Sequence, residues 1–454
     1  MITEKIIVDG RFVAKANEEM TPEIAATLGA VYGTETGKNN VIVVARDYRV
    51  DSRMLKRAFI AGALSAGVNV INLFAVPTPV LQFAIKRFAI DGGVIFTNSH
   101  NVKENTGFKI YERGGIEFSE KKIKSLFDSL IKNKIERVPP KEIGRISKAE
   151  DVGEIYQSAI TQFVNKNLIR AKDLIVVADC ANGPMGSIIP PIMNQLNIDL
   201  ILLNSQEPDL DNVHPNINSI RRISKIIKTS DANLGVCFDV DGSRALFFDE
   251  NGNYIESDDL LTLFVSEIIK NDDVKIIITT ESTTKTIDEI VKKAGGVVRR
   301  VLNEPGAISS SIRSSRASFG GSDSGKYRFP EYAPFSDTIL TTLKICEYMV
   351  KHKLKLSEII QKIPKKNRFQ DQIPVNEELI QKFQFKIEEN ISKYMSEYNV
   401  IDTLIGIKIF FGIDKGWINI NPRLNENILT FSAESDDETF IKNAIKTIKE
   451  ILFS

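Results

Sequence analysis

The stretch from Val41 to Asn101, VIVVARDYRVDSRMLKRAFIAGALSAGVNVINLFAVPTPVLQFAIKRFAIDGGVIFTNSHN, decides how the chain folds. Val41 to Ala45 is a short apolar run rich in β-branched residues and reads as a buried strand. Asp51 or Ser52 can cap the helix that follows, which carries Met54, Leu55, Ala58 and Phe59. Val68 to Phe74 reads as the next strand, and Pro77-Thr78-Pro79 stops it. A helix from about Val80 to Phe88 leads to the strand Gly93-Val94-Ile95-Phe96, which ends in Thr97-Asn98-Ser99-His100-Asn101. Strands alternating with helices in this way predict a parallel α/β sheet with a polar loop at a strand end.

Two further units repeat the plan. In the second, Leu174 to Ala178 runs into Asp179-Cys180-Ala181-Asn182-Gly183, which opens a helix, and Ile198 to Leu203 is the next strand. Leu234 to Phe238 then runs into Asp239-Val240-Asp241-Gly242-Ser243-Arg244 before Ala245 to Phe248 resumes a strand. In the third, strands Lys275 to Thr279 and Gly296 to Val301 flank a helix, and Ala317-Ser318-Phe319 precedes Gly320-Gly321-Ser322-Asp323-Ser324-Gly325-Lys326. The repetition lies in topology, because no strict sequence period accompanies it. Ligands of open α/β sheets bind beyond the carboxyl ends of strands, so three such units around one cleft can point their loops inward. A basic stretch, Lys362 to Arg368, reads as a linker to a smaller α+β tail. In that tail Leu404 to Phe411 and Trp417 to Ile420 flank the turn Gly412 to Gly416, and Ile428 to Phe431 precedes a final helix from Asp437 to Leu452.

A chain of 454 residues exceeds what one core normally supports, and roughly 150 residues per domain gives about three domains. Lys plus Arg and Asp plus Glu both number 59, so no global positive field gathers nucleic acid or an anionic membrane, and an anionic ligand needs a local site. No uninterrupted apolar run approaches the roughly 20 residues of a membrane span. Cys180, Cys237 and Cys346 are too scattered for a disulfide framework or a thiolate zinc site, which fits a reducing cytoplasm. A three-imidazole metal site would need all of His100, His214 and His352. Of these, His214 beside Pro215 reads as a turn residue and His352 as a surface residue.

Each polar loop has a chemical reading and a plainer one. Asp239 to Arg244 offers oxygen donors on alternate residues after a buried strand, a spacing that wraps a hard cation such as Mg²⁺, or else an acidic turn. Thr97 to Asn101 offers a hydroxyl for nucleophilic or phosphoryl-carrier chemistry beside an imidazole and an amide, or else a Ser/Asn-rich turn. Gly320 to Lys326 combines pliable backbone, hydroxyls, a carboxylate and a cation suited to a polyhydroxylated ligand, and a surface loop has much the same composition. Arg46-Asp47-Tyr48-Arg49 can clamp a phosphoryl group or pair with local carboxylates.

Taken in order along the whole chain, these loops resemble the alpha-D-phosphohexomutases, the phosphomannomutase and phosphoglucomutase family. The entry segment Asn17 to Glu23 and the loops at Arg46 to Arg49 and Pro77 to Pro79 join the likeness. Thr97 to Val102 is similar to the family's phosphoserine loop Thr-Ala-Ser-His-Asn-Pro, with Asn98 for Ala and Val102 for Pro, and with Gly107 and Lys109 downstream. The family metal loop Asp-Gly-Asp-Ala-Asp-Arg becomes Asp239 to Arg244, with Ser243 at the third carboxylate and Arg244 kept. The sugar loop Gly-Glu-x-Ser-Gly-His becomes Gly321 to Lys326, with Ser322 for Glu and Lys326 for His. The phosphate loop Arg-Pro-Ser-Gly-Thr-Glu-Pro becomes Asn421 to Asn427, where only Pro422 and Glu426 agree, and Gly-x-Arg-Gly is replaced around Arg11 to Ala14.

The resemblance implies three related mixed-sheet α/β domains and a smaller C-terminal α+β domain around a central cleft. The expected boundaries are 1–148 with the phosphoserine loop, 149–252 with the metal loop, 253–366 with the sugar loop and 367–454 with the phosphate loop. It implies a mutase that interconverts hexose 1-phosphate and hexose 6-phosphate through phosphorylated Ser99, primed by a hexose 1,6-bisphosphate. The implied catalytic residues are Ser99, His100, Lys109 and Arg244. Mg²⁺ would be held by Ser99, Asp239, Asp241 and Ser243, and the phosphosugar by Arg49, Ser322, Asp323, Ser324, Lys326, Arg423 and Asn425. Neither nucleic acid nor membrane is an expected partner, and the chain is expected as a monomer or homodimer. The substitutions in three loops motivate two alternatives: a weak or inactive paralogue that binds a sugar phosphate or a protein, and a mutase for another phosphosugar such as glucosamine phosphate.

Overall fold

A computed structural model describes residues 4–8, 10–97, 105–149, 151–206, 217–270, 273–364, 367–402, 407–412, 415–423 and 427–454. The first domain contains β1 (Ile7–Val8), β2 (Arg11–Lys15), α1 (Pro22–Thr36), β3 (Val41–Arg46), α2 (Val50–Ser65), β4 (Asn69–Ala75), α3 (Thr78–Arg87), β5 (Gly92–Phe96), β6 (Asn105–Glu112), α4 (Glu120–Ile131) and β7 (Ile146–Lys148). Its sheet runs β1-β2-β6-β5-β3-β4-β7, parallel from β5 through β7 and antiparallel at the β1-β2-β6-β5 edge. Val43, Ala45 and Ile95 face one core while Ile42, Val44, Val94 and Phe96 face another, which is why these strands are apolar without alternation.

The N-cap of α2 lies two residues before Asp51 and three before Ser52, the expected caps. Arg49 is its N-cap, with no side-chain cap bond, and the buried Asp47 instead accepts the Arg49 amide at 3.0 Å. Asp51 lies in the first turn, where a carboxylate meets the positive end of the helix dipole. The helix α3 begins at Thr78, because Pro79 suits the second position of a helix, where no intrahelical amide bond is lost.

The second domain contains α5 (Val152–Ile160), α6 (Lys166–Arg170), β8 (Leu174–Asp179), α7 (Met185–Gln195), β9 (Ile198–Leu203), α8 (Ile217–Thr229), β10 (Leu234–Phe238), β11 (Ala245–Phe248) and β12 (Tyr254–Ile255), with sheet order β12-β11-β10-β8-β9. The third contains α9 (Ser257–Ile268), β13 (Ile276–Thr280), α10 (Thr286–Lys293), β14 (Val297–Val301), α11 (Ala307–Ser315), β15 (Phe319–Ser322), β16 (Lys326–Arg328), α12 (Thr338–His352) and α13 (Leu356–Gln361), with sheet order β14-β13-β15-β16. Both sheets are mixed: β8 pairs in parallel with β9 and β10, and β13 with β14 and β15, whereas β10-β11 and β15-β16 are antiparallel hairpins.

The fourth domain contains β17 (Asn367–Pro374), α14 (Glu377–Asn390), β18 (Tyr398–Asp402), β19 (Ile407–Phe411), β20 (Gly416–Arg423), β21 (Ile428–Ser435) and α15 (Glu438–Phe453). Its sheet, β17-β21-β20-β19-β18, is antiparallel throughout. The basic stretch expected as a linker ends inside this sheet, since Arg368 belongs to β17.

One continuous apolar core unites the first three domains, with Val80 and Ile85 from the first, Ile189 and Met193 from the second, and Phe264, Phe319 and Leu343 from the third. The fourth domain has its own core of Phe383, Ile409, Ile420, Phe431 and Ile445. All three cysteines are buried and free. Among the described residues no helix is long and apolar enough to cross a membrane.

Candidate active site

The loop Asp239 to Arg244 is the turn of the β10-β11 hairpin, and its own backbone fixes both carboxylates. Asp239 Oδ1 accepts the Arg244 amide and Asp241 Oδ1 accepts the Ser243 amide, each at 3.0 Å. Gly242 has φ +66°, the left-handed region that glycine enters without strain, and a Cβ there would lie 2.6 Å from Met185 Sδ. Two other domains then grip this turn. From the first, the Thr78 amide donates to the Asp241 carbonyl at 2.7 Å and the Thr78 hydroxyl to Asp241 Oδ2 at 2.9 Å. From the third, the Thr338 hydroxyl donates to the Gly242 carbonyl at 2.7 Å.

Lys109 lies within β6, paired with Ile95 of β5, so a sheet rather than a loop delivers its ammonium. The ammonium is 2.5 Å from Asp241 Oδ2 and donates to Ser243 Oγ at 3.2 Å, and that hydroxyl donates to Asp239 Oδ2 at 3.2 Å. Burial and the neighbouring Asp241 push the Asp239 carboxyl above its ordinary range. Burial opposes ionisation of Asp241 too, yet Lys109 and the Ser243 hydroxyl and amide hold its carboxyl below the usual carboxylate range.

The loop Ser322 to Lys326 is the tight β15-β16 turn, with Ser322 paired to Lys326 and the Ser322 and Ser324 hydroxyls 2.8 Å apart. Gly325, at φ +74°, lets this turn pack on the start of β11, where a Cβ would come within 2.9 Å of the Ala245 carbonyl. Lys326 is thereby brought beside Arg244. Burial, then Arg244 and Arg11, pull the Lys326 ammonium well below its ordinary pKa, and burial and Arg11 pull Arg244 down to about 10. Arg244 Nε is buried with no hydrogen-bond partner among the described residues. Burial raises the Asp323 carboxyl, which hydrogen-bonds Ser282.

Of the residues singled out in the sequence, Lys109, Asp239, Asp241, Ser243 and Arg244 form one hydrogen-bonded or contiguous group, and the Ser322 to Lys326 turn packs against it. Arg49 stands apart from that group. It is 4% exposed, its Nε is 3.2 Å from Asp51, and it donates to the Asn105 carbonyl at 3.0 Å, so it braces the start of β6. Arg423 closes β20, its backbone opposite Ile428. Ser99, His100 and Asn425 lie outside the described residues.

Three contributors escaped the sequence reading. Thr78 was legible only as part of a strand stop, and the partner of its hydroxyl is 163 residues away. Thr338 opens α12 behind the Asp337 cap, with nothing local to tie it to Gly242. Glu117 pairs with Arg11 at 2.5 Å. Burial opposes its ionisation, yet Arg11, with help from Lys326 and Lys109, holds the carboxyl at about 2. With Asp239 and Asp241 it partly balances the cations of the cleft.

Asp239, Asp241 and Ser243 present oxygen only, the donor chemistry that Mg²⁺ takes. They fit such an ion in kind, and as two carboxylates and a hydroxyl they would leave its remaining positions to phosphate and water, since among the described residues no three His, Cys, Asp or Glu stand together.

Comparison with known proteins matches this arrangement. The description phosphoglucomutase/phosphomannomutase, alpha/beta/alpha domain I, matches residues 10–136, domain II matches 154–252 and domain III matches 256–367. A phosphoglucomutase/phosphomannomutase of Thermococcus kodakarensis is 31% identical over 449 residues, covering 96% of this chain and 97% of its own. A probable phosphoglucosamine mutase of Pyrococcus furiosus is 29% identical over 442 residues, covering 96% of each. A crystal structure of a phosphoglucomutase/phosphomannomutase family protein from Burkholderia thailandensis superposes with a TM-score of 0.85 at 21% identity, covering 100% of this chain and 98% of that one. With its three α/β domains each matched in order and its length shared with these relatives, the chain belongs to the phosphoglucomutase/phosphomannomutase family of alpha-D-phosphohexomutases.

Proposed function

We propose that the protein is a phosphohexomutase of the cytoplasm that converts hexose 1-phosphate to hexose 6-phosphate through phosphorylated Ser99 and a bound 1,6-bisphosphate. The observation that carries this reading is the pair Arg244 and Lys326. Packing of the Gly325 turn on Ala245 sets these two half-buried cations in one cleft, Arg244 Nε has no hydrogen-bond partner among the described residues, and a phosphoryl group is the ligand that relieves their repulsion.

In the first half-reaction the bond from phosphorus to Ser99 Oγ breaks and a bond to a free sugar hydroxyl forms, while the hydroxyl proton passes to Ser99 by way of His100. Arg244 and Lys326 hold the equatorial oxygens and Lys109 donates to them, so the charge of a loose transition state meets fixed cations. The bisphosphate then turns over in the cleft, and its other phosphoryl group returns to Ser99 by the reverse step. Mg²⁺, held by Asp239, Asp241, the Ser243 hydroxyl and phosphorylated Ser99, would supply further charge neutralisation. Ser322, Asp323 and Ser324 face the sugar hydroxyls, and Arg423 and Asn425 hold the phosphate that does not react.

Glucosamine phosphate is a second substrate reading, favoured by the name of the Pyrococcus furiosus relative. A panel of glucose, mannose and glucosamine 1-phosphates, each with a trace of its 1,6-bisphosphate, separates the substrates. Formation of a 6-phosphate from at least one supports the proposal. Binding without turnover on every member would instead assign a sugar-phosphate-binding role.

A further inference from the structure

The loop Asp239 to Arg244 is close to electroneutral before any ion arrives. Its two carboxylates face the Lys109 ammonium and the Arg244 guanidinium, and Asp241 is completely buried while the Lys109 side chain is 5% exposed. Asp241 Oδ2 receives two donors, Thr78 Oγ1 and Lys109 Nζ, which use both of its lone pairs. Its Oδ1 receives the Ser243 amide. On Asp239 one oxygen takes the Arg244 amide and the other the Ser243 hydroxyl. The polar atoms therefore close a chain from Asp241 through Lys109 and Ser243 to Asp239, with the ammonium bridging the loop. A carboxylate at position 243 would add a charge and a stronger ligand to that chain, whereas the hydroxyl adds no charge and leaves the Lys109 ammonium as the cation bonded to it among the described residues.

We infer that Lys109 is the resident counter-cation of this loop, and that a divalent ion gains Asp241 Oδ2 only by displacing it. The inference rests on reading Asp239 to Arg244 as the metal loop. A dication beside Asp241 would meet a like-charged ammonium held by β6, and would have to do so with one carboxylate fewer than the family loop offers. Weak affinity for metal in the free protein follows from the lysine and the serine together.

The test is Mn²⁺ titration of the EDTA-treated full-length protein, with bound and free ion distinguished by electron paramagnetic resonance and Mg²⁺ followed by calorimetry. Lys109→Met and Ser243→Asp are the informative variants, because the second keeps the buried pair intact should the first fold poorly. The wild type is expected to bind in the millimolar range and either variant roughly tenfold or more tightly, the scale of changes around a metal's ligands. A wild type that binds as tightly as both variants overturns the inference while leaving the metal loop in place. No binding by wild type, Lys109→Met, Ser243→Asp and the double variant alike overturns the metal-loop reading itself.

Discussion

At the scale of single residues, the Thr78 hydroxyl and the Lys109 ammonium share one carboxylate oxygen, and their removal has different consequences. Thr78→Val deletes a neutral donor to a buried charge and should cost about 1–3 kcal/mol in urea unfolding. Lys326→Met should behave in the opposite way. Its half-buried ammonium meets the like charges of Arg244 and Arg11, so without ligand the variant should melt no lower than wild type. The same variant should lose most of the thermal shift that glucose 6-phosphate confers on wild type; an undiminished shift would remove Lys326 from the anion site. The carboxylates and the cation of Asp239 to Arg244, and Lys109, were legible because their chemistry is local or follows a motif. Thr78, Thr338 and Glu117 were not, because each acts on a partner more than 90 residues away.

At the scale of elements, Arg11 of β2 and Glu117 beyond β6 tie the edge of the first sheet to the cleft. The Glu117 carboxyl is held at about 2 against an ordinary 4.5, so the unfolded chain binds the proton more readily than the folded one. The pair's contribution is present in full above pH 4.5 and is lost as pH falls toward 2. Glu117→Gln should therefore be less stable than wild type by about 1–3 kcal/mol at neutral pH, with the gap closing below pH 4.5 in pH-resolved denaturation curves. The strands were readable from Val41 to Ala45, Leu174 to Ala178 and Leu234 to Phe238, where burial on both faces leaves continuous apolar runs. The start of α2 was not, because the helix begins behind Arg49, whose side chain makes no cap bond, so no capping residue marks the true start.

At the scale of the molecule, three domains share one apolar core and the fourth joins them through polar contacts. Lys408, 2% exposed and 4.1 Å over the Trp417 ring of its own domain, donates to the Glu281 carbonyl of the third, and the Lys285 amide donates to Glu434 at 3.0 Å. Lys408→Ala should weaken this junction and the packing of the fourth domain together by about 1–3 kcal/mol, splitting calorimetric unfolding into a lower transition for the fourth domain and an unchanged one for the rest. A single transition shifted as a whole would contradict that division. The repeated strand, helix and polar-loop pattern made the three α/β domains legible, whereas their common core was not, since it joins residues such as Val80, Met193 and Leu343 that no local pattern relates. The central claim is that Ser99 carries the phosphoryl group. Intact-mass and peptide analysis of the protein after incubation with glucose 1,6-bisphosphate tests it most directly. The account predicts one phosphoryl group on Ser99 that is lost when excess glucose 1-phosphate is added, and none on Ser99→Ala. A wild-type protein that remains unphosphorylated at Ser99 with the bisphosphates of glucose, mannose and glucosamine alike would contradict it.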